Sequence, residues 1–512
     1  MAVTNIPSNK LSGRCMLYTD LGDNFTVAEL KADLERIIPQ HTYNREQIRY
    51  LQEYHRGYHP AIENRQKITR TDIDNRISVN YPTSFTRDIV GYFLGKPIEL
   101  THRKGKFHGQ METLRQALIA ENKPQVDYEI AADASICGIG YSGTFAEKTP
   151  LNGTHLKYIR LDPLNTAVVY STDPTKGPVY AFTSFESAPS SPLSGSAKTV
   201  TTTYRVYSHS DCYTFVDETS NGSDATNGAG LVFKSKSAFN LGPALPIQAH
   251  RNNLWLLGDW EVAIAIMDAL DGVVSDGVND IQQTVNSILV AIGCELTDEV
   301  YEKLDAHGML NIQNVNSSPG AVQPTIDFIG RPMDSTIGIA MRDYLEATLR
   351  IIVGVPDRKT RGGGGGDTGD AVFMRDGWQD IDLVATAKEP YFIEGEREAL
   401  ANILYILETY NEKTGSIKAE DIEIHFNRNK TVNLQTKAQV FQILTNTGLD
   451  PADALDISDL TTNVTDVIMR MRENSTKPRE VGELGTVSNG AGTNSDVGTQ
   501  TVGTSSDVDV VE

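Results

Sequence analysis

Three stretches carry residue types and spacings that chemistry could use. The run RGGGGGDTGDAVF, residues 361–373, has the glycine density of a phosphate-cradling loop. Such a loop needs G-x-x-x-x-G-K-[ST], where lysine neutralises phosphate and the hydroxyl binds magnesium. Here Asp367 follows Gly366 and would repel phosphate, and the residues upstream read as a helix rather than a strand. The run reads as a flexible connection. The second stretch, GIGYSG from Gly138 to Gly143, matches G-x-G-x-x-G letter for letter. A dinucleotide site needs that motif between a strand and a helix, so that the pyrophosphate meets the helix N-terminus. The order is reversed, with helix-like VDYEIAADASIC before it and strand-like residues after, which favours a helix-to-strand turn. The third is His55 and His59, spaced four apart, but Gly57 interrupts the helix and no nearby acid completes a metal set. They read as surface histidines.

No G-x-S-x-G motif occurs, and no Cys or Ser shows a local nucleophile signature, while a triad built from distant positions stays open. We therefore assign no catalytic residue, no metal and no cofactor. Four carboxylates, Glu261, Asp268, Asp276 and Asp280, recur along one long helical pattern. The ordinary reading of such a row is a solvated face.

The elements that must position these residues differ along the chain. TVAELKADLERIIPQ, Thr26–Gln40, opens with a capping threonine and Glu29 three residues on, a capping-box start. A second helix is expected over Asn44–Arg56, stopped by Gly57 and Pro60, then a short strand-like piece and an apolar helix around Ser84–Leu94. From Thr154 the pieces THLKYIRL, TAVVYST, PVYAFTSF, TTTYRVYS, CYTFVD and LVFKSK predict an antiparallel meander, with two polar insertions as exposed tips. At Gly258 begins a helical pattern of roughly 28 residues, about 40 Å long. Its apolar stripe comprises Trp260, Ile264, Met267, Leu270, Val274, Val278, Ile281 and Val285. Strand candidates SILVAIG and GMLNIQ follow. A second long helix comes next, with Asp334 as cap and Ile337, Met341, Leu345, Leu349 and Ile352 as its stripe. After the glycine run, a helical region from Asp370 to about Asn411 should kink or break near Pro390. DIEIHFNRN reads as a strand, LQTKAQVFQILTNTG as a helix closed by Gly448, and LDPADALD as a helix capped by Asp450 with Pro451 first.

Composition sets the class. At 512 residues two to four domains are expected. The formal net charge of −21 makes the surface as a whole repel nucleic acid, so contact with DNA must be local or weak. Cys15, Cys137, Cys212 and Cys294 show no paired spacing, which points to a reducing compartment rather than a disulfide framework. No export signal or apolar run of about 18 residues is seen, so no membrane role is expected. From Asn474 onward there is no aromatic residue and Gly, Ser, Thr and Val dominate, the composition of a disordered tail.

Taken in order, RISVNYPTSFTRDIVGYFLGKPIEL, ASICGIGYSGTF with YIRLDPLNTAVVYSTD, PIQAHRNNLWLLGDWEVAIAIMDALDGVVSDGVNDI, GVPDRKTRGGGGGDTGDAV and DIEIHFNRN resemble the portal proteins of long-tailed bacteriophages. The resemblance spans roughly residues 30–470. It implies an α+β portal fold: flexible residues 1–26, a wing of helices and antiparallel β over 27–257, and stem helices at 258–286 and 333–353. It places a small α/β clip at 287–332, a tunnel loop at 354–370, a long kinked wing helix at 371–420, a helical crown at 421–473 and a disordered tail at 474–512. It further implies a homododecameric ring at one capsid vertex of the virion, assembled in the bacterial cytoplasm, through which double-stranded DNA is packaged and later ejected. Implied partners are the terminase large subunit, the head-to-tail adaptor, and the major capsid and scaffolding proteins. Portals carry no ATPase of their own, the terminase supplying the energy.

On that resemblance, Glu261, Asp268, Asp276 and Asp280 become candidates for an acidic channel wall that keeps the duplex from sticking. The glycine run becomes the tunnel loop, with Arg358, Lys359, Arg361, Gly362, Gly363, Gly364, Gly365, Gly366 and Asp367 beside the DNA. Asp357, Asp367 and Asp370 cancel its three basic residues, so the loop can touch phosphate without gripping it. Five consecutive glycines depart from the mixed polar loops of relatives. The alternatives are another structural phage head or adaptor protein without a DNA channel, and an enzyme with a distributed active site.

Overall fold

The computed structural model describes residues 13–22, 24–67, 71–103, 107–149, 153–187, 201–217, 230–238, 242–285, 288–292, 325–329, 335–357, 378–411, 417–428, 434–458, 460–461, 467–468 and 471. In chain order, the first half runs β1 (Leu17–Thr19), α1 (Val27–His55), α2 (Pro60–Glu63), α3 (Tyr81–Phe93), β2 (Glu99–His102), α4 (His108–Ala120), α5 (Lys123–Cys137), β3 (Ile139–Thr149), β4 (Gly153–Leu161), β5 (Thr166–Ser171), β6 (Pro178–Ser187), β7 (Thr201–Tyr207), β8 (Asp211–Asp217), β9 (Leu231–Ala238) and β10 (Ile247–Arg251). A single 3-10 turn at Glu261–Ala263 leads into α6 (Ile264–Val285), followed by β11 (Ile288–Ile292), β12 (Thr325–Ile329), α7 (Ser335–Val353), α8 (Trp378–Asn411), β13 (Ile422–His425), α9 (Leu434–Asn446) and α10 (Pro451–Ser458).

The meander forms as the sequence predicts, with β5 to β9 antiparallel neighbours in a six-stranded sheet. The piece THLKYIRL departs from it: as β4 it joins β3 and β10 in a separate three-stranded sheet. Burial on both faces explains why β5 reads as a nearly continuous apolar run. Ala167, Val169, Tyr180, Phe182, Tyr204 and Val206 face α1. Val168, Ala181 and Tyr207 face the smaller sheet.

α1 is one helix where two, Thr26–Gln40 and Asn44–Arg56, were expected, and it runs through Pro39. Proline removes one backbone hydrogen bond, a cost that packing at both ends outweighs. Leu30, Leu34 and Ile37 sit on the large sheet, while Tyr50, Leu51 and Tyr54 belong to a second, larger core. The capping box is present, with Thr26 N–H donating to Glu29 Oε2 (2.8 Å) and Glu29 N–H to Thr26 Oγ1 (3.3 Å). In the same way α8 runs through Pro390 without interruption.

The flexible N-terminus expected over 1–26 is corrected from residue 13 onward. β1 pairs in parallel with β5, and Arg14 is buried. The expected break before residue 421 cuts through packed structure. β13 pairs with β2, and Ile417 and Ile422 enter the same core as α3, α5 and α8. SILVAIG forms β11, and its partner β12 was not anticipated. GMLNIQ, the cap Asp334, both polar insertions apart from their edges, and the tail from 474 lie outside the described residues.

The G-x-G-x-x-G glycines have a structural cause. Gly138 caps α5 at φ 81, where a Cβ would stand 1.8 Å from the Leu256 carbonyl oxygen. At Gly140 a Cβ would meet the Ile130 carbonyl at 2.4 Å. They serve the helix-to-strand turn and the close approach of neighbouring backbone.

A buried ionic cluster ties α8 to this region. Lys123 Nζ contacts Asp127 Oδ2 at 2.6 Å and Glu396 Oε2 at 2.8 Å, and the Tyr158 hydroxyl donates to Asp127 at 3.2 Å. Burial pushes the Asp127 carboxyl up to about 7 against the pull of Lys123. A raised acid contributes stability that is fully present below its unfolded pKa near 4 and is lost as pH rises through about 7. Asp127→Asn cannot ionise, so its stability relative to wild type should rise between pH 4 and 8, by a few kcal/mol at most. Paired melts across that range check this. A constant difference between the two proteins would contradict it.

Candidate functional site

The long helix begins as its sequence stripe predicts. Trp260, Ile264 and Met267 are buried in the larger core, Leu270 is buried as well, and Trp260 Nε1 donates to Thr86 Oγ1 at 3.0 Å. Beyond one further turn the stripe fails. Val274 and Val278 are only half-buried and Ile281 is exposed. The buried row is instead polar, formed by Asp271, Ser275 and Asn279.

The cause is the segment 73–80, expected as a strand, which lies extended along α6 without joining a sheet. Val79 N–H donates to Asp271 Oδ1 (2.8 Å), Ile77 N–H to Ser275 Oγ (3.0 Å) and Asn75 N–H to Asn279 Oδ1 (2.8 Å). Four helical residues rise about 6 Å and two extended residues about 6.6 Å. Every second strap amide therefore meets every fourth helix side chain. Asn75 Nδ2 adds a bond to Gln282 Oε1 at 2.7 Å. His59, expected at the surface, is wholly buried. Its Nδ1 pairs with Asp271 and its ring stacks on Tyr54 at 3.9 Å. His55 is half-buried, and burial followed by the Arg56 charge lowers its pKa.

The four carboxylates proposed from sequence separate. Glu261 is corrected: it does not face solvent. It forms an ion pair with Arg14 in which both side chains are 1 % exposed, and its Oε2 accepts from Gly258 N–H at 2.8 Å. Asp268 is half-buried and accepts from the Tyr54 hydroxyl at 2.9 Å. Burial raises its pKa, opposed by that hydrogen bond. Asp276 and Asp280 are exposed, and Asp276 pairs with Arg65 at 2.6 Å. The tunnel-loop residues Arg358, Lys359, Arg361, Gly362 to Gly366 and Asp367 lie outside the described residues.

α7 packs beside α6, but only its C-terminal half enters the core, through Leu349 and Val353. Residues 336–344 are exposed all round, so Ile337, Met341 and Tyr344 present apolar surface, as do Ile351 and Ile352 farther along. Of the expected stripe, only Leu349 is fully buried. Apolar exposure on this scale marks an interaction surface.

One arrangement has the outline of catalytic machinery. Ser142 Oγ lies 2.9 Å from His250 Nε2, with Gln248 Oε1 3.0 Å away. All three residues are 0 % exposed, so the pair is a core hydrogen bond with no room for substrate. Burial holds His250 at about 4, hence neutral near pH 7. Among the described residues, no group of three or more His, Cys, Asp or Glu is placed to hold a metal, and no helix is long and apolar enough to cross a membrane.

Comparison with known proteins bears on identity. No curated protein sequence matches the chain. Among solved structures, a chain from the neck of an empty GTA particle, computed with C6 symmetry, is 13 % identical with a TM-score of 0.40, covering 74 % of this chain and 90 % of that one. A chain from the virion of a native gene transfer agent particle is 12 % identical with a TM-score of 0.39, covering 74 % and 89 %. A family model described as phage portal protein, SPP1 Gp6-like, matches residues 34–475, nearly the whole described chain. The chain belongs to the phage portal protein family.

Proposed function

We propose that this chain is the subunit of a homododecameric portal ring at one capsid vertex, enclosing the channel through which terminase packages double-stranded DNA and through which the DNA later leaves. The observation that carries the reading is the family match over residues 34–475. The half-bare α7 beside α6 supports it, since that helix needs neighbours to cover its apolar face. In this reading α6 and α7 are the stem. Residues 287–332 form the clip that meets the terminase large subunit and then the head-to-tail adaptor. The wing includes residues 13–26 and extends through β13 to about residue 428. The crown is carried by α9 and α10, and capsid and scaffolding proteins surround the ring.

Asp276 and Asp280, the exposed members of the acidic set, are the stem carboxylates we assign to the channel wall, with Glu261 withdrawn because it is buried. An acidic wall keeps phosphates from adhering, and the basic residues Arg358, Lys359 and Arg361 of the tunnel loop touch them briefly. Changing Asp276 and Asp280 together to lysine should make rings retain duplex DNA, with retention falling steeply as salt rises. Binding as weak as that of wild type would remove these residues from the wall. Electron microscopy of the purified chain tests the ring itself. Class averages should show a closed ring with a central hole, and solid or open particles would favour a head or adaptor protein without a channel.

A further inference from the structure

The loop between β10 and α6 presents two large apolar side chains to solvent. Leu254 is 56 % and Trp255 68 % exposed. An exposed tryptophan on a slack loop would mean little, but this loop is held rigidly. Asn253 Oδ1 accepts from both Trp255 N–H (3.1 Å) and Leu257 N–H (3.0 Å). The side-chain amides of Asn252 and Asn253 each donate to the Leu257 carbonyl at 2.8 Å. Asn252 also donates to Asp259, whose other oxygen is 2.7 Å from Lys388 Nζ. Underneath, Gly13 lets the Trp255 carbonyl approach to where a Cβ would stand 2.0 Å away, and Gly138 does the same for the Leu256 carbonyl.

Leu256 itself sits at φ 53 and is buried. A left-handed leucine is strained by roughly 1–2 kcal/mol, and the surrounding bonds sustain it. Turning Leu256 inward in that conformation leaves its two predecessors facing out. The fold thus maintains a strained turn that displays Leu254 and Trp255, and preorganised aromatic anchors of this kind dominate binding energy at interfaces.

We propose that the Leu254–Trp255 loop is an anchor that seats on a neighbouring copy of this chain, against the exposed C-terminal end of its α7 around Ile351 and Ile352. The inference rests on the ring reading above. A closed ring joins unlike faces of identical subunits, so one chain must carry both a knob and its receiving surface. Ile351 is 77 % exposed, and α7 packs against the 261–263 turn, a few residues from the loop, with Leu349 and Val353 in the same core as Ala263. Knob and receiver therefore lie at the same end of the α6–α7 pair. Val262 on that turn is exposed as well.

Native mass spectrometry over a concentration series, with Trp255→Ser, Trp255→Phe and Leu254→Ser, tests this on the full chain. Because both side chains are exposed in the subunit, the variants should melt as wild type does. Trp255→Ser should raise the concentration needed for ring formation by roughly thirtyfold or more, and Trp255→Phe should recover much of that loss. Acrylamide quenching of the fluorescence lost in Trp255→Phe should show Trp255 shielded in rings and open in subunits. An Ile351→Cys, Trp255→Cys pair should crosslink between copies. Rings of Trp255→Ser that form at the wild-type concentration, or a Trp255 equally quenchable in both states, would overturn the proposal while leaving the ring reading intact. A wild-type chain that forms no ring would sink both.

Discussion

Asp271→Ala is expected to destabilise the protein by about 2–5 kcal/mol, the cost of leaving two donors, the His59 ring and the Val79 amide, without their acceptor. The carboxylate has two dependants. His59, wholly buried, would lose its Nδ1 partner, and the Val79 amide would lose the acceptor that begins the strap-to-helix series. Because the strap amides bond to side chains rather than to a strand, no neighbouring backbone can take over. Asp271→Asn keeps an acceptor for Val79 and should cost less, about 1–2 kcal/mol. Ser275→Ala should cost about 1 kcal/mol. Urea denaturation of the three variants gives the order directly. If Asp271→Ala unfolded within about 0.5 kcal/mol of wild type, the strap would not be what holds α6 against residues 59–80.

Glu261→Ala should be comparably severe. It strands the Arg14 guanidinium, which also donates to the Cys137 carbonyl at 3.2 Å, and removes the acceptor for Gly258 N–H at the start of the long helix. The expected loss is about 3–5 kcal/mol. A double replacement distinguishes a stranded charge from lost packing. Arg14→Met with Glu261→Gln leaves no charge and preserves a side-chain oxygen for Gly258, so it should restore most of the stability. Additive single-variant losses would show that the two residues act independently, contrary to the geometry.

Both positions show where the sequence was not legible. Elements whose signal is local were read correctly: the capping box at Thr26 and Glu29, the alternating strands of the meander, the turn at Gly138, and Asp450 with Pro451 at the start of α10. Signals that depend on distant residues were not. Asp271, Ser275 and Asn279 recur at intervals of four, and DNRISVN offers amides at intervals of two, but neither period is apolar. Hydrophobic patterning passes over both. Glu261 looks like one more acid on a solvated face until Arg14, 247 residues earlier in the chain, is brought beside it. Pro390 signals a break that tertiary packing overrides. The apolar stripe of α7 was partly legible as a stripe, but which residues face the core and which face outward depends on how the subunit is covered.

The strap and the Arg14–Glu261 pair fix the first half of α6 to the body of the subunit, as the stem role proposed above requires. In the proposed ring this chain is the gateway for DNA. Heads assembled from major capsid and scaffolding proteins, with terminase and ATP, should protect DNA from nuclease only when this chain is present at assembly. Equal protection with and without it would overturn the proposed gateway role.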